Sequence, residues 1–153
     1  GKALTGGHIS FAATVATSEV AQGIGESAAG VFMHGPTYMA NPLACVAGAA
    51  SLDLLAKGDW KGQVARIEAQ LKRDLEPARG LPGVRDLRVL GAIGVIEMEG
   101  EVDPEDAHRM APETGVWLRP FARKIYTMPP YVITPDELGR VTDAMIALAR
   151  RAA

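Results

Sequence analysis

Across one short break, Gly80-Leu81-Pro82-Gly83, the periodicity of this sequence changes from helical to alternating. Neither an all-helical nor an all-β fold accommodates both halves. Upstream of the break, Val64, Ile67, Leu71 and Leu75 recur every three or four residues. That spacing predicts a helix from Trp60 to about Arg79 with one apolar face. A further helix is predicted ahead of it, with Asn41 as N-cap, Pro42 in its first turn, an Ala- and Leu-rich body to Lys57, and Gly58 as its stop. Downstream, Val84 to Leu90 alternates apolar and charged residues, as a half-buried strand does, and Gly91 to Met98 reads as its antiparallel neighbour. Asp103 caps a predicted helix to Glu113, and Val116–Arg119 and Ile125–Met128 read as short strands. Thr134 opens a last helix whose apolar stripe is Leu138, Val141, Met145 and Leu148. The expectation is an α/β chain in two parts: residues 1–80, ending in two helices, and residues 81–153, a small α+β unit.

Ile9 to Thr17 is small, apolar and β-branched, which predicts a buried strand or strand pair. Four glycines between Gly23 and Pro36 predict an irregular loop. The chain opens Gly1-Lys2-Ala3-Leu4-Thr5 without an initiator methionine, so an upstream segment is expected.

Bulk properties narrow the function classes. A net charge of −2 leaves no dense basic patch for phosphate backbones, which argues against nucleic-acid binding. Cys45 is the single cysteine, so no intrachain disulfide forms, and a reducing cytoplasm fits. Every apolar run is interrupted short of bilayer-spanning length.

Three positions carry candidate chemistry. Lys2, followed by Ala-Leu-Thr-Gly-Gly, sits on a turn of small residues that a flat ligand could approach, and a desolvated lysine amine can attack an aldehyde. Its alternative is a solvated lysine near a chain end. Met33-His34-Gly35-Pro36-Thr37 sets a hydroxyl and loop N–H groups just ahead of a helix N-terminus, an arrangement that suits phosphate, although such stretches also occur as plain turns. Arg119, in Trp117-Leu118-Arg119-Pro120-Phe121, could hold a carboxylate through two parallel hydrogen bonds or form a structural ion pair. Tyr126 could line the same pocket or belong to a strand's core face. The three histidines, His8, His34 and His108, are too dispersed for a metal site. Cys45 reads as a small buried hydrophobe.

Taken together these segments resemble the class III (omega) aminotransferases. Gly1-Lys2-Ala3-Leu4-Thr5-Gly6-Gly7 is similar to the family's cofactor-lysine motif, and Met33 to Cys45 to its phosphate loop. Gly91 to Glu97, Trp117 to Phe121 and Tyr126 to Tyr131 resemble, in order and spacing, the branch acting in biotin synthesis. The resemblance implies a fold-type-I enzyme using pyridoxal 5'-phosphate (PLP) as a homodimer. It implies that Lys2 joins the cofactor aldehyde and shuttles a proton, and that Gly35, Pro36 and Thr37 hold the cofactor phosphate across the dimer interface. Gly35, Arg119 and Tyr126 would contact substrate, with Arg119 on the carboxylate of 8-amino-7-oxononanoate. The amino donor would be S-adenosylmethionine and the product 7,8-diaminononanoate. A lysine-donor relative, another omega-aminotransferase, and a non-catalytic α/β oligomerisation or phosphate-binding module stay open beside it. The family's chain continues well upstream of the lysine, so these 153 residues alone are expected to be inactive, to bind PLP weakly and to expose apolar surface in their first part.

Overall fold

The computed structural model describes residues 3–153, and the chain divides into two compact units, Gly1–Gly58 and Asp59–Ala153.

In the first unit, α1 (Ser18–Glu26) is capped by Thr17, whose side chain accepts from the Val20 amide. Its far end is closed by the Ser27 hydroxyl on the Ile24 carbonyl at 2.6 Å. These end contacts hold a helix through Gly23 and Gly25, where glycine density predicted a loop. Residues 9–17 form no strand, contrary to expectation. A β-branched run becomes a strand only where another strand pairs with it, and none of the described residues does so here. The helix α2 (Pro42–Lys57) begins and ends where the capping signals placed it. The Asn41 side chain accepts from the Ala44 amide at 3.1 Å, and the Gly58 N–H donates to the Leu54 carbonyl.

The second unit holds the main core. Its sheet is antiparallel in the order β1 (Val84–Leu90), β2 (Ile93–Met98), β3 (Lys124–Thr127). Three helices accompany it: α3 (Trp60–Leu75), α4 (Pro104–Thr114) and α5 (Pro135–Arg151). Ile67, Leu71 and Leu75 of α3, Ile96 and Ile125 of the sheet, and Leu138, Met145 and Leu148 of α5 are fully buried together. Gly94 marks the close approach: a Cβ there would lie 3.0 Å from Leu75 Cδ1 and 3.3 Å from Leu71 Cδ2.

Three sequence expectations change here. The units part between Gly58 and Asp59, not at residue 80, because the apolar face of α3 is spent on the core it shares with the sheet. Also, α3 stops at Leu75 and a 3-10 turn, Glu76–Gly80, follows. Pro77 has no N–H with which to continue the α-helical ladder. Residues 116–119 pair with no strand among the described residues, so they are not a strand. No helix of the described residues is long and apolar enough to cross a membrane.

Candidate functional site

Lys2, the expected cofactor-binding amine, lies outside the described residues. The other candidates are described within their own units.

In the first unit, Gly35, Pro36 and Thr37 are exposed in the loop ahead of α2. The Met39 amide donates to the Pro36 carbonyl at 2.9 Å and the Asn41 amide to the Tyr38 carbonyl at 3.2 Å, so consecutive turns lead into the Asn41 cap. Ala40 takes the left-handed conformation at φ 55° to complete them. Neither the Thr37 hydroxyl nor its amide is engaged by any described residue. Free N–H and O–H donors beside a helix N-terminus form a donor set that fits a phosphate. Upstream of the loop, Val20, Ile24, Phe32, His34 and Met39 line an apolar cleft of about 790 Å3. Cys45 is exposed on α2, not buried as its Ala-rich setting predicted. Its helix buries only Ala44 and Gly48, so Cys45 lies outside the narrow face in contact.

In the second unit, Arg119 and Tyr126 come together. Phe121 and Lys124 exchange two backbone hydrogen bonds of 2.9 Å across a tight turn, with Ala122 left-handed at φ 50°. This turn joins the segment carrying Arg119 to the strand carrying Tyr126. Both line a cleft of about 270 Å3 whose other walls include Trp117, Met128, Pro130 and Ile133. Tyr126 faces away from the core because its neighbour Ile125, paired with Ile96, points into it. Arg119 is exposed, and no carboxylate of the described residues pairs with it. Of the two readings its neighbours allowed, the structural ion pair is therefore not made among the described residues.

Two further contacts support this cleft and were not legible beforehand. His108 of α4 stacks on the Trp117 ring, centroids 6.2 Å apart at 10°. The guanidinium of Arg66, from α3, reaches the backbone of the cleft's far wall. The Arg66 contacts span 65 and 67 residues of chain and the His108–Trp117 stack joins a helix to an irregular segment, so neither follows a local spacing rule. Among the described residues no cluster of His, Cys, Asp or Glu could hold a metal.

A family model described as aminotransferase class-III matches residues 1–148. An adenosylmethionine-8-amino-7-oxononanoate aminotransferase from Mycobacterium leprae is 52% identical over 97% of this chain and 34% of its own length. The counterpart from Corynebacterium glutamicum is 53% identical over 98% of this chain and 36% of its own length. A β-alanine–pyruvate aminotransferase from Pseudomonas aeruginosa is 32% identical over 94% of this chain and 34% of its own length. Among solved structures, an adenosylmethionine-8-amino-7-oxononanoate aminotransferase from Methanocaldococcus jannaschii superposes with TM-score 0.82 at 27% identity, covering 97% of this chain and 37% of that one. A PLP-bound amine transaminase from an uncultivated Pseudomonas species gives 0.81 at 30%, covering 98% and 37%. This chain thus spans about a third of the length of the relatives it matches.

Proposed function

The chain belongs to the class-III aminotransferase family, and on that premise we propose that the protein it represents transfers an amino group from S-adenosylmethionine to 8-amino-7-oxononanoate, giving 7,8-diaminononanoate. The observation that carries this reading is Arg119, exposed, unpaired among the described residues and lining one cleft with Tyr126. A guanidinium left without a carboxylate partner is available to a carboxylate substrate through two parallel hydrogen bonds. Tyr126, Met128 and Pro130 offer a flat, mostly apolar wall for an alkyl chain. The 52% and 53% identity to relatives named for this substrate pair supports the choice of substrates.

Bound PLP supplies an electron sink for cleavage at the substrate Cα. In this reading Lys2 supplies the amine that holds the cofactor aldehyde and carries the proton. The Gly35–Pro36–Thr37 loop binds the phosphate, with Thr37 donating from its free hydroxyl, in a homodimer where the loop serves the partner's site. Arg119 orients the keto acid through its carboxylate, and Gly35 and Tyr126 bound the substrate. A cytoplasmic setting belongs to the same proposal.

The second reading, an omega-amino acid transaminase, is favoured by the 32% identity to a β-alanine–pyruvate enzyme. A donor and acceptor screen on the full-length protein separates the two. Turnover with S-adenosylmethionine and 8-amino-7-oxononanoate is expected. Turnover with β-alanine and pyruvate alone would overturn the proposal, and turnover with lysine in place of S-adenosylmethionine would correct the donor.

A further inference from the structure

Opposite Arg119, the cleft is walled by the segment joining β3 to α5, which contributes Met128, Pro129, Pro130 and Ile133 and has no regular secondary structure from Met128 to Ile133. Two side chains one turn apart on α3 hold this segment and the helix start that follows it. The Nη2 of Arg66 donates to the Ile133 carbonyl at 2.7 Å and lies 3.4 Å from the Tyr131 carbonyl. The Gln70 amide donates to the carbonyl of Pro135, the first residue of α5, at 2.8 Å and so fixes where the segment ends; Gln70 is nearly fully buried. Arg66 pairs with no carboxylate among the described residues, and its other terminal nitrogen, Nη1, is buried without a hydrogen-bond partner. A guanidinium normally recovers its desolvation by pairing with an acid. Here it is committed to main-chain oxygens of a loop, which fixes that loop's position at a cost in stability.

We propose that Arg66 is a positioning residue for the Arg119 cleft: by gripping the Tyr131 and Ile133 carbonyls it sets the distance between the loop wall and the Arg119–Tyr126 wall, and so the affinity for an alkyl carboxylate. The inference rests on the reading of Arg119 as the carboxylate-binding residue. Arg66 touches no substrate in it and acts only through the loop.

The test uses octanoate as probe, titrated by NMR into the full chain with its methionine methyls labelled. Arg66→Met removes the donors and keeps the bulk, and Arg66→Lys keeps one donor. Loss of a charge-assisted bond to the loop, felt only in part at the cleft, is expected to weaken octanoate binding roughly three- to tenfold in Arg66→Met. Arg66→Lys is expected to recover part of that loss, and the Met128 methyl resonance to move in Arg66→Met but not in Arg66→Lys. A purely structural role would lower the melting temperature of both variants without this split. Wild-type affinity in Arg66→Met overturns the inference, as does an equal loss in both variants with Met128 unmoved. Because binding and loop position are linked, octanoate must also tighten the grip of Arg66. Exchange of its guanidinium protons is therefore expected to slow at saturation, and unchanged exchange overturns the inference without any variant having to fold. Octanoate that fails to bind the wild-type chain, or binds Arg119→Ala equally well, sinks the carboxylate cleft itself and the inference with it.

Discussion

Arg119 is the position where local sequence and chemistry agree most closely. Its neighbours Leu118 and Pro120 are buried while Arg119 is exposed, so the segment is anchored on both sides of the one charged group it presents. Arg119→Lys should therefore leave the melting temperature almost unchanged, since surface substitutions fall within about 0.5 kcal/mol. In the full-length enzyme it should raise KM for the carboxylate substrate by roughly tenfold or more, because a point charge cannot reproduce the paired hydrogen bonds. Steady-state kinetics with a melting curve checks both halves. Ala122 gives a second residue-scale expectation. A left-handed alanine is strained and glycine is not, so Ala122→Gly should stabilise the second unit by about 0.5–1 kcal/mol, after the extra chain entropy of glycine is set against the relief. Denaturant melts would show it, and a loss of stability would mean that the turn is not strained. The sequence exposed Arg119 as a candidate because an arginine between apolar residues and a proline is unusual. It gave no hint of Arg66, whose neighbours on α3 make it look like one more solvated charge.

At the level of elements, α2 and α5 could be read in advance because their end signals agreed with their composition, whereas the caps of α1 were masked by its glycines. The helix α5 shows why. Thr134 accepts from the Glu137 amide while the Glu137 carboxylate accepts from the Thr134 amide and hydroxyl, a reciprocal cap that needs no distant partner. Residues 9–17 and 116–119 had strand composition but no strand to pair with among the described residues, and pairing is a property of the fold, not of the segment. The cap also predicts a pH dependence. Hydrogen bonding from the Thr134 backbone, then from its hydroxyl, holds the Glu137 carboxyl below its ordinary value of 4.5. A carboxyl with a lowered folded-state value stabilises the fold above its unfolded value, and this contribution is lost as pH falls through the folded one. Amide exchange at the first turn of α5 should thus accelerate below about pH 4.5, and Glu137→Gln should flatten that dependence. An identical pH profile in the variant would assign the effect to another group. Deeper in the unit, Leu71→Ala should cost about 2–5 kcal/mol, because a fully buried side chain in a close-packed core leaves a cavity behind it.

On the scale of the whole chain, the two units differ in what they bury. The second has a continuous core, whereas α2 of the first buries only Ala44 and Gly48 and leaves Leu43, Val46, Leu52 and Leu54 more than half exposed. Val31, Phe32, Met33 and Tyr38 in the loop before it are exposed as well. Apolar area of this extent on one short unit favours association, since each side chain removed from water gains on the order of 1.5–3 kcal/mol. The chain spans about a third of its relatives' length, which makes cover by further polypeptide or by a second copy the natural counterpart of this surface. The isolated 153 residues should accordingly bind an apolar dye and sediment as concentration-dependent oligomers. Replacing Leu43 and Val46 by glutamate should reduce both signals, while Leu71→Ala, which changes only the second unit's interior, should not. For the same reason Lys2, proposed above to hold the cofactor, should be trapped poorly when borohydride is added to these residues with PLP, because a lysine amine condenses efficiently near neutral pH only where its surroundings lower its pKa. A monodisperse, dye-silent chain that labels Lys2 efficiently would show instead that 153 residues suffice to enclose the site, and would remove the reason for assigning their apolar face to a missing partner.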